Sequence, residues 1–142
     1  MQHTISLTND INEVPKMSEW IECLAEEVGL PLDKTFQLNL AMEEAVVNVM
    51  NYAYPNQQGM PILIEAEIEP SRLTFVIDDT GIPYDPTQNE DPDLTLSAEE
   101  RPIGGLGVML VRQLMQEVSY EYRDGHNRLT LVMIPEQANF VE

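Results

Sequence analysis

A chain of 142 residues, 43% of them hydrophobic and 23% charged, holds enough apolar material to bury a core of its own and reads as one domain spanning 1–142. Twenty-five acidic residues against seven basic ones give a net charge of −18, a field that repels phosphate backbones and anionic lipid and so argues against nucleic acid or a membrane surface as partner. No apolar run approaches the roughly 18 residues that span a bilayer, "MQHTISLTND" lacks the basic and apolar regions of a secretion signal, and the lone Cys23 fits a reducing cytoplasm.

In chain order, His3 to Thr8 reads as a first strand. Met17, Trp20, Ile21, Leu24 and Val28 recur at helical spacing and predict an amphipathic helix stopped by Gly29 and Pro31. On this helix Cys23 is expected as an inert, partly buried thiol. A longer helix is predicted from about Asp33 to Tyr52, with Leu38, Ala41, Met42, Ala45 and Val49 as its apolar stripe. After the turn-rich stretch from Pro55 to Pro61, Ile62, Ile64, Ala66 and Ile68 alternate with other residues, as do Leu73, Phe75 and Ile77. The "EPS" between the two runs marks a hairpin. From Pro83 to Arg101 prolines and acids replace periodicity, as in functional lids, and a lid is set at about 84–103. Val108, Val111, Met115 and Val118 predict a third helix. Strands near Ser119 to Arg123 and Arg128 to Ile134 flank "DGHN", a turn with hairpin chemistry. The sum is an α+β fold, a two-layer sandwich of a mixed, mostly antiparallel sheet with helices on one face.

Three places are chemically loaded. In "LAMEEAVVNVMNYAYP", Glu44 and Asn48 are four apart and share a helix face, which Gln37 and Asn51 join and Leu40 and Val47 border. Such a face is either a solvated polar stripe or a carboxylate and an amide aimed into a cleft, where the first accepts a proton and the second ligates a hard cation. Glu43 lies about 100° away, toward the apolar side. In "FVIDDTGIPYDP" an apolar strand ends in Asp78, Asp79 and Gly81. That is either a plain turn or a rim carboxylate able to accept from an exocyclic amine, with a glycine that lets a flat ring approach. In "RPIGGLGVMLVRQL", Gly104, Gly105 and Gly107 open a helix, whose free first-turn N–H groups and dipole favour an anion. No Lys-Ser/Thr follows and no strand-borne G-x-G-x-x-G is present, so P-loop and classical dinucleotide readings fail. His3 and His126 are far apart with no ligand cluster, against a zinc site, and no nucleophile elbow appears.

Taken in order, E-x-x-x-N on a helix (Glu44, Asn48), D-x-G (Asp79, Gly81) and a glycine-rich turn after a long lid resemble the GHKL ATPases, the superfamily of the gyrase, Hsp90, histidine-kinase and MutL nucleotide sites. Within it, "LNLAMEEAVVNVMNYAY", "DDTGIPYDP" and "EERPIGGLGVMLVRQLMQEVSYEY" are similar to the bacterial anti-sigma-factor serine kinases, over roughly Ile5 to Met133. The resemblance implies the Bergerat (GHKL) fold with an ATP lid, and ATP and Mg²⁺ as cofactors. It implies Glu44 as the general base toward an incoming hydroxyl, Asn48 as the Mg²⁺ ligand, and Asp79 as the adenine-reading carboxylate with Gly81 beside the base. Gly105, Leu106 and Gly107 match the turn whose amides hold the phosphates, and Gly104 helps the lid fold over. Thr130 matches a threonine near the adenine-binding Asp, and Arg101 a lid cation reaching the γ-phosphate. Asp78 precedes the motif and reads as structural. Two positions depart from the pattern: Tyr52 stands where many of these kinases have histidine, and Pro83 replaces the second small residue of the wider D-x-G-x-G. The implied activity is that of an ATP-dependent serine/threonine protein kinase acting on a STAS-domain anti-sigma-factor antagonist. A sigma factor or another regulator is the further implied partner, and a homodimer the implied assembly. The alternative is a non-catalytic nucleotide-binding partner-switch module that sequesters a regulatory protein.

Overall fold

The computed structural model describes residues 2–88 and 105–135. β1 (Gln2–Thr8) leads through a 3-10 turn (Ile11–Glu13) into α1 (Val14–Glu27) and then α2 (Leu32–Tyr52). β2 (Pro61–Glu69) and β3 (Arg72–Asp79) form a hairpin, a 3-10 turn covers Pro86–Gln88, and α3 (Gly105–Leu114) precedes the hairpin β4 (Glu117–Arg123) and β5 (His126–Met133). The strands form one sheet in the order β1-β2-β3-β5-β4. Every neighbouring pair is antiparallel, so the expected mixed sheet is a purely antiparallel one. The last hairpin folds back so that β5, not β4, lies beside β3, and this reverses the direction a mixed sheet would need.

Side chains alternate across a pleated strand, so each strand offers the helices one apolar row. Ile62, Ile64, Ala66 and Ile68 of β2, Leu73, Phe75 and Ile77 of β3, and Leu129, Leu131 and Met133 of β5 are all buried. Against them α1 sets Met17, Ile21 and Leu24, and α2 sets Leu38, Ala41, Met42, Ala45 and Val49. Trp20 meets Phe75 edge-on, with ring centroids 6.3 Å apart. Burying each large aliphatic side chain contributes about 1.5–3 kcal/mol, and this layer carries the fold. Among the described residues no helix packs on the opposite face of the sheet, which bears Thr4, Glu67, Arg72, Ser119 and Arg128.

Two expectations are corrected. α3 ends at Leu114 and Val118 lies in β4, because Val111 and Val118 face the same core from two successive elements and so mimic one helical stripe. Cys23 is exposed, since it lies two positions from the buried Ile21, about 200° around α1. No described helix is long and apolar enough to cross a membrane.

The C-terminus of α2 is locked to the end of β3. The Ile82 N–H donates to the Ala53 carbonyl over 2.8 Å. The Tyr54 hydroxyl donates to the Pro61 carbonyl at 2.6 Å and accepts from the Thr80 N–H at 2.8 Å. A Cβ on Gly81 would stand 2.1 Å from the Ala53 carbonyl oxygen, so the glycine is required by the backbone of α2 rather than by a flat ring alone. Gly81→Ala is expected to destabilise the protein by about 2–3 kcal/mol, read as a lower urea midpoint at unchanged slope.

Candidate functional site

Asp78 and Asp79 are consecutive on β3 and therefore point to opposite faces of the sheet. Asp79 faces the helices and is 3% exposed. Its Oδ1 accepts from the Gly81 N–H and from the Asn127 side-chain amide, each at 2.8 Å. Loss of solvent pushes its pKa above the ordinary carboxylate range, and the neighbouring Asp78 charge adds to that push. The two hydrogen bonds, and more weakly His126, act against it. Both donors reach Oδ1, and Oδ2 accepts from no other group among the described residues.

Asn127 is the residue the sequence reading missed. It stands directly across from Asp79 in the β3–β5 register and is 4% exposed. Its amide nitrogen donates to Asp79 and, at 2.8 Å, to the Ile82 carbonyl. Its oxygen accepts from the Tyr84 N–H at 3.1 Å and from the Tyr120 hydroxyl. All four hydrogen-bonding capacities of the side chain are thus used, which makes a buried amide inexpensive and rigid. The signal was there in "DGHN". Asp124 and Gly125, with φ of 54° and 82°, complete the two-residue turn by themselves, so His126 pairs with Arg123 and Asn127 is already inside the strand.

Thr130 does not join this group. It pairs with Val76 and lies three residues from Asn127, so it projects from the other face of the sheet. The place expected of Thr130, beside the buried Asp, belongs to Asn127.

On α2, Asn48 is 3% exposed and its Oδ1 is a buried acceptor without a hydrogen-bond partner. Glu44, half-buried one turn earlier, has no hydrogen-bond or ion-pair partner among the described residues. A crevice of about 10 Å³ runs from Asp79 and Asn127 past Ala53 and Tyr84 to Pro86. A second of about 10 Å³ runs from Pro86 and Thr87 to Asn48, Ala45 and Val111. Leu129 and Pro86 line both, so the Asp79 and Asn48 hollows adjoin. Tyr84 stacks on Tyr52, with centroids 5.1 Å apart, and Arg112 of α3 donates to the Thr87 carbonyl. Asn51 opens instead on a separate hollow lined by Asn9, Asp10 and Ile11.

Gly105, Leu106 and Gly107 form the first turn of α3, whose N–H groups have no partner within the helix. Val111, six residues and about 9 Å further along this helix, lines the Asn48 crevice. Arg101, Gly104 and the part of the expected lid beyond Gln88 lie outside the described residues.

Residues 7–133 match the model of the histidine kinase-like ATPase domain. The chain belongs to that family. Among its relatives, the serine/threonine-protein kinase BtrW of Bordetella bronchiseptica is 35% identical over 114 residues, 79% of each chain. The serine-protein kinase RsbW of Listeria monocytogenes is 28% identical over 106 residues, 72% of this chain and 68% of that one. The structure of the RsbU and RsbW domains of Rv1364c from Mycobacterium tuberculosis superposes with a TM-score of 0.66 at 15% identity, over 94% of this chain and 32% of that one. The histidine kinase domain of the blue-light activated kinase of Erythrobacter litoralis gives a TM-score of 0.56 at 14% identity, over 90% of this chain and 62% of that one. This chain therefore spans about a third of the first solved structure and under two thirds of the second, and at these identities both show the fold alone.

In this member of the family the Asn127–Asp79 pair is expected to make a pH-dependent contribution to stability. Asn127→Ala removes a donor from a carboxylate whose folded-state pKa already lies above its unfolded value, and raises that pKa further. A raised carboxylate pKa favours the fold below the unfolded value, an advantage lost as pH rises through the folded one. The variant is expected to lose about 2–4 kcal/mol near neutral pH and less near pH 4, measured by urea unfolding across that range.

Proposed function

We propose that this chain is an ATP-dependent serine/threonine protein kinase of the cytoplasm, acting on a STAS-domain anti-sigma-factor antagonist in a bacterial partner-switching pathway. The observation that carries the reading is the placement on α2, one turn apart, of a carboxylate, Glu44, and a buried amide oxygen, that of Asn48, neither with a hydrogen-bond partner among the described residues. Family membership and two protein-kinase relatives support it. The acidic surface suits a basic patch on a second regulator such as a sigma factor.

In this reading adenine enters at Asp79, with its exocyclic amine donating to the free Oδ2. Tyr84 to Gln88 moves outward, which joins the two crevices into one channel from Asp79 to Asn48. The N–H groups of Gly105, Leu106 and Gly107 receive the phosphates, with Gly104 and Arg101 in the lid contributing the turn and a cation. Asn48 fits a hard cation, because an orphaned amide oxygen is the donor type Mg²⁺ prefers. No group of three or more potential metal ligands of the His, Cys, Asp and Glu type occurs among the described residues, which suits an ion that arrives with the nucleotide. When bound, Mg²⁺ would neutralise phosphate charge that a protein of net charge −18 otherwise repels. Glu44 takes the proton from the acceptor hydroxyl as its oxygen bonds to the γ-phosphorus, while the bond from that phosphorus to the β,γ-bridging oxygen breaks and ADP leaves; the lack of a competing partner among the described residues leaves the carboxylate free for that proton.

Two substitutions separate binding from transfer. Glu44→Gln is expected to reduce phosphotransfer from Mg-ATP to a cognate STAS domain by at least about 100-fold while changing ATP affinity less than about threefold. Transfer that survives would remove Glu44 from the role. Asp79→Asn keeps an acceptor for Gly81 and Asn127 but places an N–H₂ donor where Oδ2 faced the adenine amine. ATP affinity, measured by calorimetry, is expected to fall at least about tenfold. Thermal stability is expected to hold or rise, because a buried charge is removed.

A further inference from the structure

Asp78, which reads from sequence as a structural residue ahead of the motif, is 8% exposed and sits on the face of the sheet away from the helices. It is directly across from Arg128 in the β3–β5 register, as Asp79 is across from Asn127. The Arg128 guanidinium donates to Asp78 Oδ2 at 2.5 Å and, reaching over β3, to Glu65 Oε1 at 3.0 Å. His126 Nδ1 lies 2.6 Å from Asp78 Oδ1. Two consecutive acids on β3 are thus met by two consecutive residues of β5, a neutral amide on the inner face and a cation on the outer. This division has an electrostatic reason. Two adjacent carboxylates at the end of one strand repel each other, and the inner one, cut off from solvent, depends on the outer one being neutralised locally.

We propose that Arg128 is a positioning residue for nucleotide recognition, acting through Asp78: by balancing that charge from the open face of the sheet, it keeps the Asp79 carboxylate available to the adenine amine on the other. The proposal rests on the adenine-reading role given to Asp79 above. It does not place Arg128 in contact with nucleotide. The strand lies between them. A purely structural link between β2, β3 and β5 would instead make Arg128 matter only through the stability of the sheet.

The two accounts separate in a charge-balanced pair of variants. Arg128→Gln removes the guanidinium charge and leaves Asp78 with His126 as its remaining close partner. Asp78→Asn/Arg128→Gln removes both charges and still lacks the arginine link to Glu65. ATP affinity by calorimetry, followed from pH 8 down to pH 5, is expected to weaken at a higher pH in Arg128→Gln than in wild type, by up to roughly tenfold per pKa unit where the Asp79 carboxyl is protonated, and to return to within about threefold of the wild-type profile in the double variant. Arg128→Lys, which keeps the charge, is expected to stay within about threefold. A double variant as weak as the single one, or an Arg128→Gln with the wild-type pH profile, overturns the proposal and leaves the adenine-reading role standing. If the wild-type protein binds no ATP, the role given to Asp79 fails, and the charge coupling is then decided by carbon-detected NMR titration of its carboxyl. The groups around that carboxyl are Asp78 and His126 at the strand end, Arg128 and Glu65 across the sheet, and Tyr84 and Tyr120 over the crevice. Its midpoint is expected to move up in Arg128→Gln and back in the double variant; an unmoved midpoint overturns the inference. Should Arg128→Gln fail to fold, the double variant against wild type keeps the test, since a structural link predicts that it too is lost.

Discussion

The Asp79 carboxylate, buried at the end of β3, is the constraint on which the rest of the site depends. A charge taken out of water costs several kcal/mol unless hydrogen bonds replace the lost solvent. Here the replacement comes from the Gly81 N–H and the Asn127 amide, and each is placed by something larger. Gly81 is where it is because the chain turns tightly against the Ala53 carbonyl, with Tyr54 stapling the same corner. Asn127 is where it is because the β3–β5 register sets it opposite Asp79. Slipping that register by one residue would bring Arg128 or His126 to the inner face and leave the carboxylate without its amide. The adenine end assigned to this site is therefore a consequence of sheet register and of one helix end, rather than of a flexible loop.

α2 connects the two ends. Its buried stripe fixes the helix on the sheet, and with the helix fixed, the face carrying Glu44 and Asn48 has no freedom to rotate away. The same helix ends in the Ala53 carbonyl that shapes the Gly81 turn. One rigid element thus holds Glu44, Asn48 and the wall of the Asp79 crevice at fixed separations, as the proposed phosphoryl transfer by positioning requires. The short segment carrying Tyr84, Pro86 and Thr87 lines both ends and is held by Tyr52, Asn127 and Arg112. Pro86 in that segment is itself buried, so moving the segment would expose it as well as break these contacts.

Much of this was legible in the residues. The period of 3.6 on α2 and the period of 2 on β2 and β3 marked buried faces that the structure reproduces, and "DG" marked the last hairpin. The resemblance carried by Glu44, Asn48, Asp79 and Gly81 pointed to the family. What stayed hidden was set by tertiary contact. The partner of Asp79 depends on how β5 registers against β3 across some 48 positions of sequence, which no local pattern encodes. Thr130 carried the more suggestive side chain yet falls on the wrong face, because parity along a strand depends on where the turn ends. Gly81 read as room for a flat ring, and the Ala53 carbonyl against it is a second reason for a glycine that no local pattern shows. The end of α3 was obscured because helix and strand feed the same core.

In the proposed function the Asp79–Asn127 pair is the base-reading end of the site. That role is tested most directly by titrating the ¹⁵N-labelled protein with adenosine and following the backbone amide of Gly81 and the side-chain amide of Asn127. The account predicts that these resonances shift together and saturably with adenosine and far less with guanosine. Saturable adenosine binding that leaves both unmoved and perturbs another surface would contradict it.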